Sequence, residues 1–397
     1  MAFSKAYFAC HKMIRLFINN IDVNFNSYIT FNWIRDRSDE LMRYSIKGYS
    51  LRNFLKCSIR NFVFKNPTPF LLSYEITQRC NARCSFCGYW RLKNPSLGLP
   101  LDKIKKIFND SYDLGCVISI ITGGEPLLRK DIPEVFKLAK QTGFSTVLLT
   151  NGYLLSKRIH EMHRFVDSIN VSIDFPDARH DKIRGLPGLL NKTIEGIRLA
   201  RRYGIAVNIN CVVTAQHSLE DIRKLLFMAK ELDTTASFEP VFETPVSEGS
   251  ILGSMSKEDA NLLKIRDWSF VRRFTEMLLY YKKNGFGKTV LNTDAFLNIT
   301  REKRDYTCYP FSTQLGIGYN GDVTSMCVLG VPKGYLGNAL KQNLKELWYS
   351  ENARALREKY KNCKLASKYG CYLLCITEPS LFFTHPSVFL EYVKRVI

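Results

Sequence analysis

Cys80, Cys84 and Cys87 lie in the segment CNARCSFC with the spacing CxxxCxxC, so a single loop can bring three thiolates together. A structural zinc ion normally takes four ligands, and its sequences more often begin with a CxxC pair, which makes three thiolates a poor zinc set. Thiolates favour iron-sulfur clusters, and a cubane held by three cysteines leaves one iron open to a further ligand. A second, looser group follows near the C-terminus: Cys308, Cys327, Cys363, Cys371 and Cys375. Five thiolates suffice for one more cluster, while a zinc site and a set of unliganded buried cysteines are the competing readings. Cys10, Cys57, Cys116 and Cys211 stand alone, and the last two sit in apolar runs where a free cysteine is usually a small buried hydrophobe. The N-terminal MAFSKAYFACHKMIRLF lacks the apolar core and cleavage site of a secretory signal, so a cytoplasmic location is expected. Thiols stay reduced there, and clustered cysteines more often mean metal or catalysis.

The elements that must position these residues can be read from periodicity. Between residues 70 and 241, short β-branched or apolar runs alternate with helical patterns in units of roughly 30 residues, as consecutive βα modules do. Strands are expected at 70–77, 117–122, 145–150, 168–174, 206–214 and 236–241, and helices at 102–114, 131–142, 188–203 and 218–232. The fold class is therefore α/β, a mostly parallel sheet wrapped by helices. The cysteine loop follows the first strand, where folds of this kind place their chemistry. Directly after the second strand comes ITGGEPLLR, with Gly123, Gly124, Glu125 and Pro126, whose glycines would let backbone approach a ligand closely. The third strand ends in Thr150, Asn151 and Gly152, the fourth carries Ser172 and Asp174, and RHDKIRG then supplies Arg184.

In this order, one per βα unit, the motifs resemble those of the radical S-adenosylmethionine (SAM) superfamily over roughly residues 67–241. The cysteine loop matches, with Phe86 as the aromatic residue before the third cysteine. The resemblance implies a partial (βα)6 barrel and a catalytic 4Fe-4S cluster on Cys80, Cys84 and Cys87. It also implies SAM held by the Gly123–Pro126 motif at its amino group, by Asn151, Ser172 and Asp174 at its ribose and methionine parts, and by Arg184 at its carboxylate. Arg179 and His180 are the alternatives for that last role. The expected chemistry is reductive cleavage of SAM to a 5′-deoxyadenosyl radical that abstracts a substrate hydrogen. An electron donor such as ferredoxin or flavodoxin is the expected partner. The C-terminal cysteines resemble a SPASM or twitch extension, a small iron-sulfur domain that here departs from the full pattern at Ala366. One auxiliary 4Fe-4S cluster is implied, on Cys308, Cys327 and Cys375 with Cys363 or Cys371.

Composition adds partners rather than chemistry. The net charge of +20 favours an anionic partner, and the absence of any zinc-finger or aromatic RNA-binding signature disfavours nucleic acid. Residues 1–66 hold 11 basic and 4 acidic residues, and Leu51, Phe54, Leu55, Ile59 and Phe62 fall at helical spacing beside Arg52, Lys56 and Arg60. Such a helix either docks on the main domain or lies on an anionic membrane surface at the inner face. The expected divisions are a basic, helical segment (1–66), the radical SAM core (67–241), a helical linker (242–307), the auxiliary-cluster domain (308–378) and a C-terminal helix (379–397). The linker should be helical over about 257–283, and Asn320-Gly321 predicts a two-residue hairpin turn. Three functions compete. A radical enzyme acting on a peptide or other large substrate leads, the same chemistry on a membrane lipid or lipid-linked sugar follows, and a non-catalytic iron-sulfur carrier comes last.

Overall fold

The computed structural model describes residues 67–241, 261–324, 334–385, 387, 388 and 391. The amphipathic stretch near residues 51–62 and Cys327 lie outside the described residues. Six strands form the framework: β1 Leu71–Glu75, β2 Ile118–Thr122, β3 Ser145–Thr150, β4 Ser168–Ser172, β5 Ala206–Val213 and β6 Thr235–Pro240. Each pairs in parallel with the next. The helices between them are α1 Leu101–Leu114, α2 Ile132–Thr142, α3 Leu155–Met162, α4 Arg179–Arg184, α5 Leu189–Arg202 and α6 Leu219–Glu231. Local chemistry sets their ends. Ser218 and Asp221 form a capping box that starts α6, and Gly115 and Gly143 stop α1 and α2 at positive φ. Alternate strand residues such as Tyr74, Ile121, Leu148, Val171 and Ile209 pack under the helices with Ile104, Phe108, Val135 and Phe136. Burying each such side chain contributes about 1.5–3 kcal/mol. Cys116 and Cys211 are buried in this layer, as their apolar surroundings predict.

After β6 the chain forms α7 Trp268–Lys283 and α8 Asp294–Arg301. The helix expected over 257–283 is interrupted: residues 264–267 are not helical, and Asp267 accepts the Ser269 N–H at 2.9 Å to start α7 afresh. Both helices bury apolar faces, Val271, Phe274 and Leu278 on one and Phe296 and Leu297 on the other. Between them Val290 makes a parallel bridge to Ala236 of β6.

Three further strands, β7 Gln314–Ile317, β8 Asp322–Thr324 and β9 Tyr335–Asn338, do not form a sheet of their own. The order is β6-β5-β4-β3-β2-β1-β7-β8-β9, with β7 parallel to β1. The β7–β8 turn is one residue longer than the two-residue turn expected. Gly318 N–H donates to Asp322 O at 2.8 Å and Gly321 N–H to Gly318 O at 3.0 Å, leaving a three-residue loop whose last member, Gly321, sits at φ 87°. Helices α9 Pro310–Thr313, α10 Leu344–Tyr349, α11 Glu351–Lys361, α12 Leu365–Tyr369 and α13 Leu374–Thr384 complete the described fold. The fully buried Trp348 anchors α10, its indole N–H bonding Pro67 O at 2.8 Å. No helix of the described residues is long and apolar enough to cross a membrane.

Candidate active site

The loop after β1 carries Cys80, Cys84 and Cys87 and is held from two sides. The end of β2 contributes Gly124 N–H to Thr77 O at 2.8 Å and Glu125 N–H to Arg79 O at 2.7 Å. From the other side, α4 accepts the Arg83 N–H on Arg184 O at 2.9 Å and the Ser85 N–H on Ile183 O at 3.0 Å. This arrangement gives the two glycines a second task beside the one expected. A Cβ on Gly123 would lie 2.3 Å from Thr77 O, and one on Gly124 2.3 Å from Arg79 O. What approaches the glycines closely is the cysteine loop itself. Burial pushes the Cys80 thiol up to about 12 and the Cys84 thiol up to about 11, the latter opposed by Arg184. Thiolates in such surroundings need a cation, and three of them form the donor set of a cubane with one open iron. No three Cys, His, Asp or Glu side chains of the described residues gather as closely as a single metal ion requires. A cubane draws its ligands to separate corners and so suits a wider cradle.

Glu125 is fully buried, and its carboxylate is spent on protein donors: Leu127 N–H at 3.1 Å, the Thr150 hydroxyl at 2.8 Å and Asn151 N–H at 2.8 Å. Burial raises its pKa to about 7 against these three bonds. Pro126 follows as the first residue of a short 3-10 turn. Asn151 extends the bracket, donating from Nδ2 to Asn81 Oδ1 at 2.8 Å and so tying the β3 end to the cysteine loop. Asn81 was invisible to motif reading, since only its partner shows that it matters. The main-chain carbonyls of Gly123 and Gly124 accept no hydrogen bond from the described residues.

Asp174 and Arg184 form a buried pair, Nε to Oδ2 at 2.7 Å and Nη2 to Oδ1 at 3.1 Å. Burial works to raise the Asp174 pKa, but the Arg184 charge and hydrogen bonds outweigh it and hold the carboxyl below its ordinary value. Asp174 also accepts Val212 N–H at 3.2 Å, so its oxygens are committed to protein. Arg184 keeps Nη1 without a hydrogen bond among the described residues and lies 5.3 Å over the Phe86 ring. Of the two alternatives, Arg179 is tied to Asp177 and Asp221, and His180 is buried and neutral, accepting Asp174 N–H at 3.1 Å. Ser172 ends β4 half-buried.

Cys308, Cys363 and Cys371 surround the buried Tyr306, whose pKa is raised first by burial and then by these thiols. Cys375 stands at the start of α13, open to solvent yet enclosed enough that burial pushes its thiol up to about 12, with Glu239 adding to the effect.

Two family models match the chain. Residues 74–229 match the radical SAM superfamily, and residues 308–372 match SPASM, an iron-sulfur cluster-binding domain. An AdoMet-dependent heme synthase of Methanosarcina barkeri is 30% identical over 325 residues, covering 76% of this chain and 88% of the synthase. The chain belongs to the radical SAM superfamily. Its cofactors are accordingly a 4Fe-4S cluster and SAM, with an auxiliary iron-sulfur cluster in the SPASM domain. A PqqA peptide cyclase of Granulibacter bethesdensis is 29% identical over 171 residues, covering 42% of this chain and 46% of the cyclase. Among solved structures, SuiB of Streptococcus suis bound to S-adenosylmethionine superposes with TM-score 0.62 at 17% identity, covering 92% of this chain and 83% of that one. SuiB bound to its precursor peptide SuiA gives 0.61 at 18% identity over the same shares.

The radical SAM barrel has an inner wall that motif reading did not see. On β4 to β6 the residues opposite the helix-packed ones are polar and bonded across strands: Asn208 Nδ2 to Asn170 Oδ1 at 2.6 Å and to Ser237 Oγ at 2.8 Å, and Asn210 Nδ2 to Glu239 Oε1 at 3.1 Å. Glu239 then accepts Leu374 N–H at 2.6 Å, while Gln314 of β7 donates to Cys375 O at 2.6 Å. The residues Leu374 and Cys375 of the C-terminal segment are thus fastened to β6 on one side and to β7, beside β1, on the other. Glu75, at the end of β1, accepts the Tyr89 hydroxyl beside the cysteine loop. Period-two alternation could have found this set, because Glu75 and Glu239 are charged residues at strand positions of inward parity.

Proposed function

We propose that this radical SAM enzyme abstracts hydrogen from an unreactive C–H bond of a peptide or protein substrate. The observation that carries the reading is the inner wall. Strands β1 to β6 contain no lysine or arginine and present Asn170, Asn208, Asn210, Ser237 and Glu239 as hydrogen-bonding groups. Amide-bearing chains find partners there, since buried polar groups need them. Heme carries carboxylates, and these strands offer no cation to meet them. A lipid reading rests on the stretch near residues 51–62, which lies outside the described residues.

Within this proposal Cys80, Cys84 and Cys87 hold the catalytic cluster, and Cys308, Cys327, Cys363, Cys371 and Cys375 are the ligand candidates for the auxiliary one. When bound, the catalytic cluster supplies one electron to SAM, whose carbon-sulfur bond breaks to give methionine and a 5′-deoxyadenosyl radical. The carbonyls of Gly123 and Gly124 would receive the SAM amino group, because no described residue donates a hydrogen bond to them. Arg184 presents Nη1 to the SAM carboxylate while Asp174 fixes its plane. Ser172 and Asn151 would flank the ribose, with Phe86 supporting the Arg184 guanidinium from beneath.

The test is anaerobic turnover of reconstituted enzyme with SAM and dithionite in three arms: a defined peptide mixture, an iron porphyrin with free carboxylates, and a total lipid extract. 5′-Deoxyadenosine formation stimulated in the peptide arm supports the proposal. Stimulation confined to the porphyrin or lipid arm overturns it. The Cys80→Ala/Cys84→Ala/Cys87→Ala variant should form no 5′-deoxyadenosine in any arm.

A further inference from the structure

The cysteine loop has an outer side for which SAM binding and substrate binding provide no use. Residues 76–101 contain Arg79, Arg83, Arg91 and Lys93 and not one aspartate or glutamate. Arg79, Arg83 and Lys93 are exposed, and none of the three is ion-paired among the described residues. The same loop exposes two large apolar side chains, Trp90 at 38% and Leu97 at 48%. Trp90 is also joined to the cysteine triplet: its indole Nε1–H donates to Cys84 O at 3.0 Å, and the Arg91 guanidinium lies 4.8 Å from the ring centre.

We propose that this face docks an acidic one-electron carrier protein of the flavodoxin or ferredoxin kind, with Trp90 at the centre of the contact. The proposal rests on the reading that Cys80, Cys84 and Cys87 hold the catalytic cluster. In the step it serves, one electron leaves the reduced carrier and enters that cluster; the carrier is oxidised by one electron, and no atom or proton changes hands. An exposed tryptophan with an arginine against its ring, on a loop that carries four cations and no acid, has the composition of an interface centre, where Trp and Arg carry most of the binding energy. Complementary charge steers the encounter, and the net charge of +20 extends the attraction beyond the loop. The Trp90–Cys84 hydrogen bond gives a bonded path from the surface to a ligand of the cluster. An anionic membrane would also attract basic residues and Trp, but it needs no link to Cys84, and that link is what favours the carrier.

The experiment drives SAM cleavage by reconstituted full-length enzyme with dithionite or with a reduced acidic flavodoxin, and measures 5′-deoxyadenosine. The Lys93→Glu variant, whose change lies outside the cysteine triplet, should keep the dithionite rate and lose about threefold or more of the flavodoxin rate at low salt. The wild-type flavodoxin rate should fall as salt rises, and the variant rate should respond little. Trp90→Leu should lower the flavodoxin rate more than the dithionite rate. Equal flavodoxin rates in variant and wild type overturn the proposal, and so does a parallel loss of both rates. No dithionite-driven cleavage by wild type would remove the cluster reading and the proposal with it. Loss of binding to phosphatidylserine vesicles with flavodoxin-driven turnover intact would reassign the face to a membrane.

Discussion

Gly124 shows how little room the cluster loop has. A methyl group there would meet the Arg79 carbonyl carbon at 2.7 Å as well as its oxygen, so Gly124→Ala must push the loop away from β2. Displacements of about 1 Å at a reacting centre cost on the order of 100-fold in rate. The variant should therefore lose catalytic-site iron and SAM cleavage together while retaining the auxiliary iron, as iron counting and 5′-deoxyadenosine assays would show; unchanged iron and rate would contradict the fit. Titration gives a second prediction. Burial, aided by the Arg184 charge, lowers the His180 pKa to about 4 from an ordinary 6.5, so below pH 6.5 the unfolded chain takes up a proton that the fold refuses. Stability from this group is complete above pH 6.5 and falls toward pH 4 by about 1.4 kcal/mol per unit. Glu125 acts in the opposite sense, its raised pKa favouring the fold as pH drops from about 7. Comparing wild type with His180→Asn isolates the histidine: urea unfolding should show the variant losing less stability between pH 7 and pH 5. At this scale the sequence located Glu125, Asp174 and Arg184 but not their partners, because spacing fixes where a side chain starts and says nothing of which donors reach it first.

The six strands were legible because each has apolar residues of one parity packed under helices, and the boundaries read from periodicity fall within two residues of those observed. The short helices α3 and α4 were not, since six to eight residues give a 3.6-residue period too few turns to show. The link between β6 and α13 was equally hidden, because it joins Glu239 to a backbone N–H 135 residues away. Its removal is testable. Glu239→Ala strips the Leu374 N–H and the Asn210 side chain of an acceptor, which should cost about 1–3 kcal/mol. The melting temperature should fall and auxiliary iron should be retained less well, with catalytic-site iron unchanged. Equal loss from both sites would mean that Glu239 supports the barrel as a whole.

Residue 308 marks a change of sequence character, yet soon after it the chain rejoins the sheet through β7. A chain ending at residue 307 should therefore not be a soluble barrel. It would leave one edge of β1 without hydrogen-bond partners and remove Trp348, which packs against the start of the described fold. Expression of residues 1–307 should give aggregated protein, and a soluble, SAM-binding product would show that the barrel folds without its C-terminal strands.

The same topology sets an order of events during synthesis. The strand that leads into the cysteine loop obtains its second neighbour from a segment about 240 residues downstream, which at ordinary elongation speeds emerges about ten to fifty seconds later. Throughout that interval the nascent chain exposes an open strand edge beside three reactive thiols. Whatever delivers iron and sulfide meets the loop most readily in that window, before Gln314 and Glu239 draw the tail across the barrel mouth.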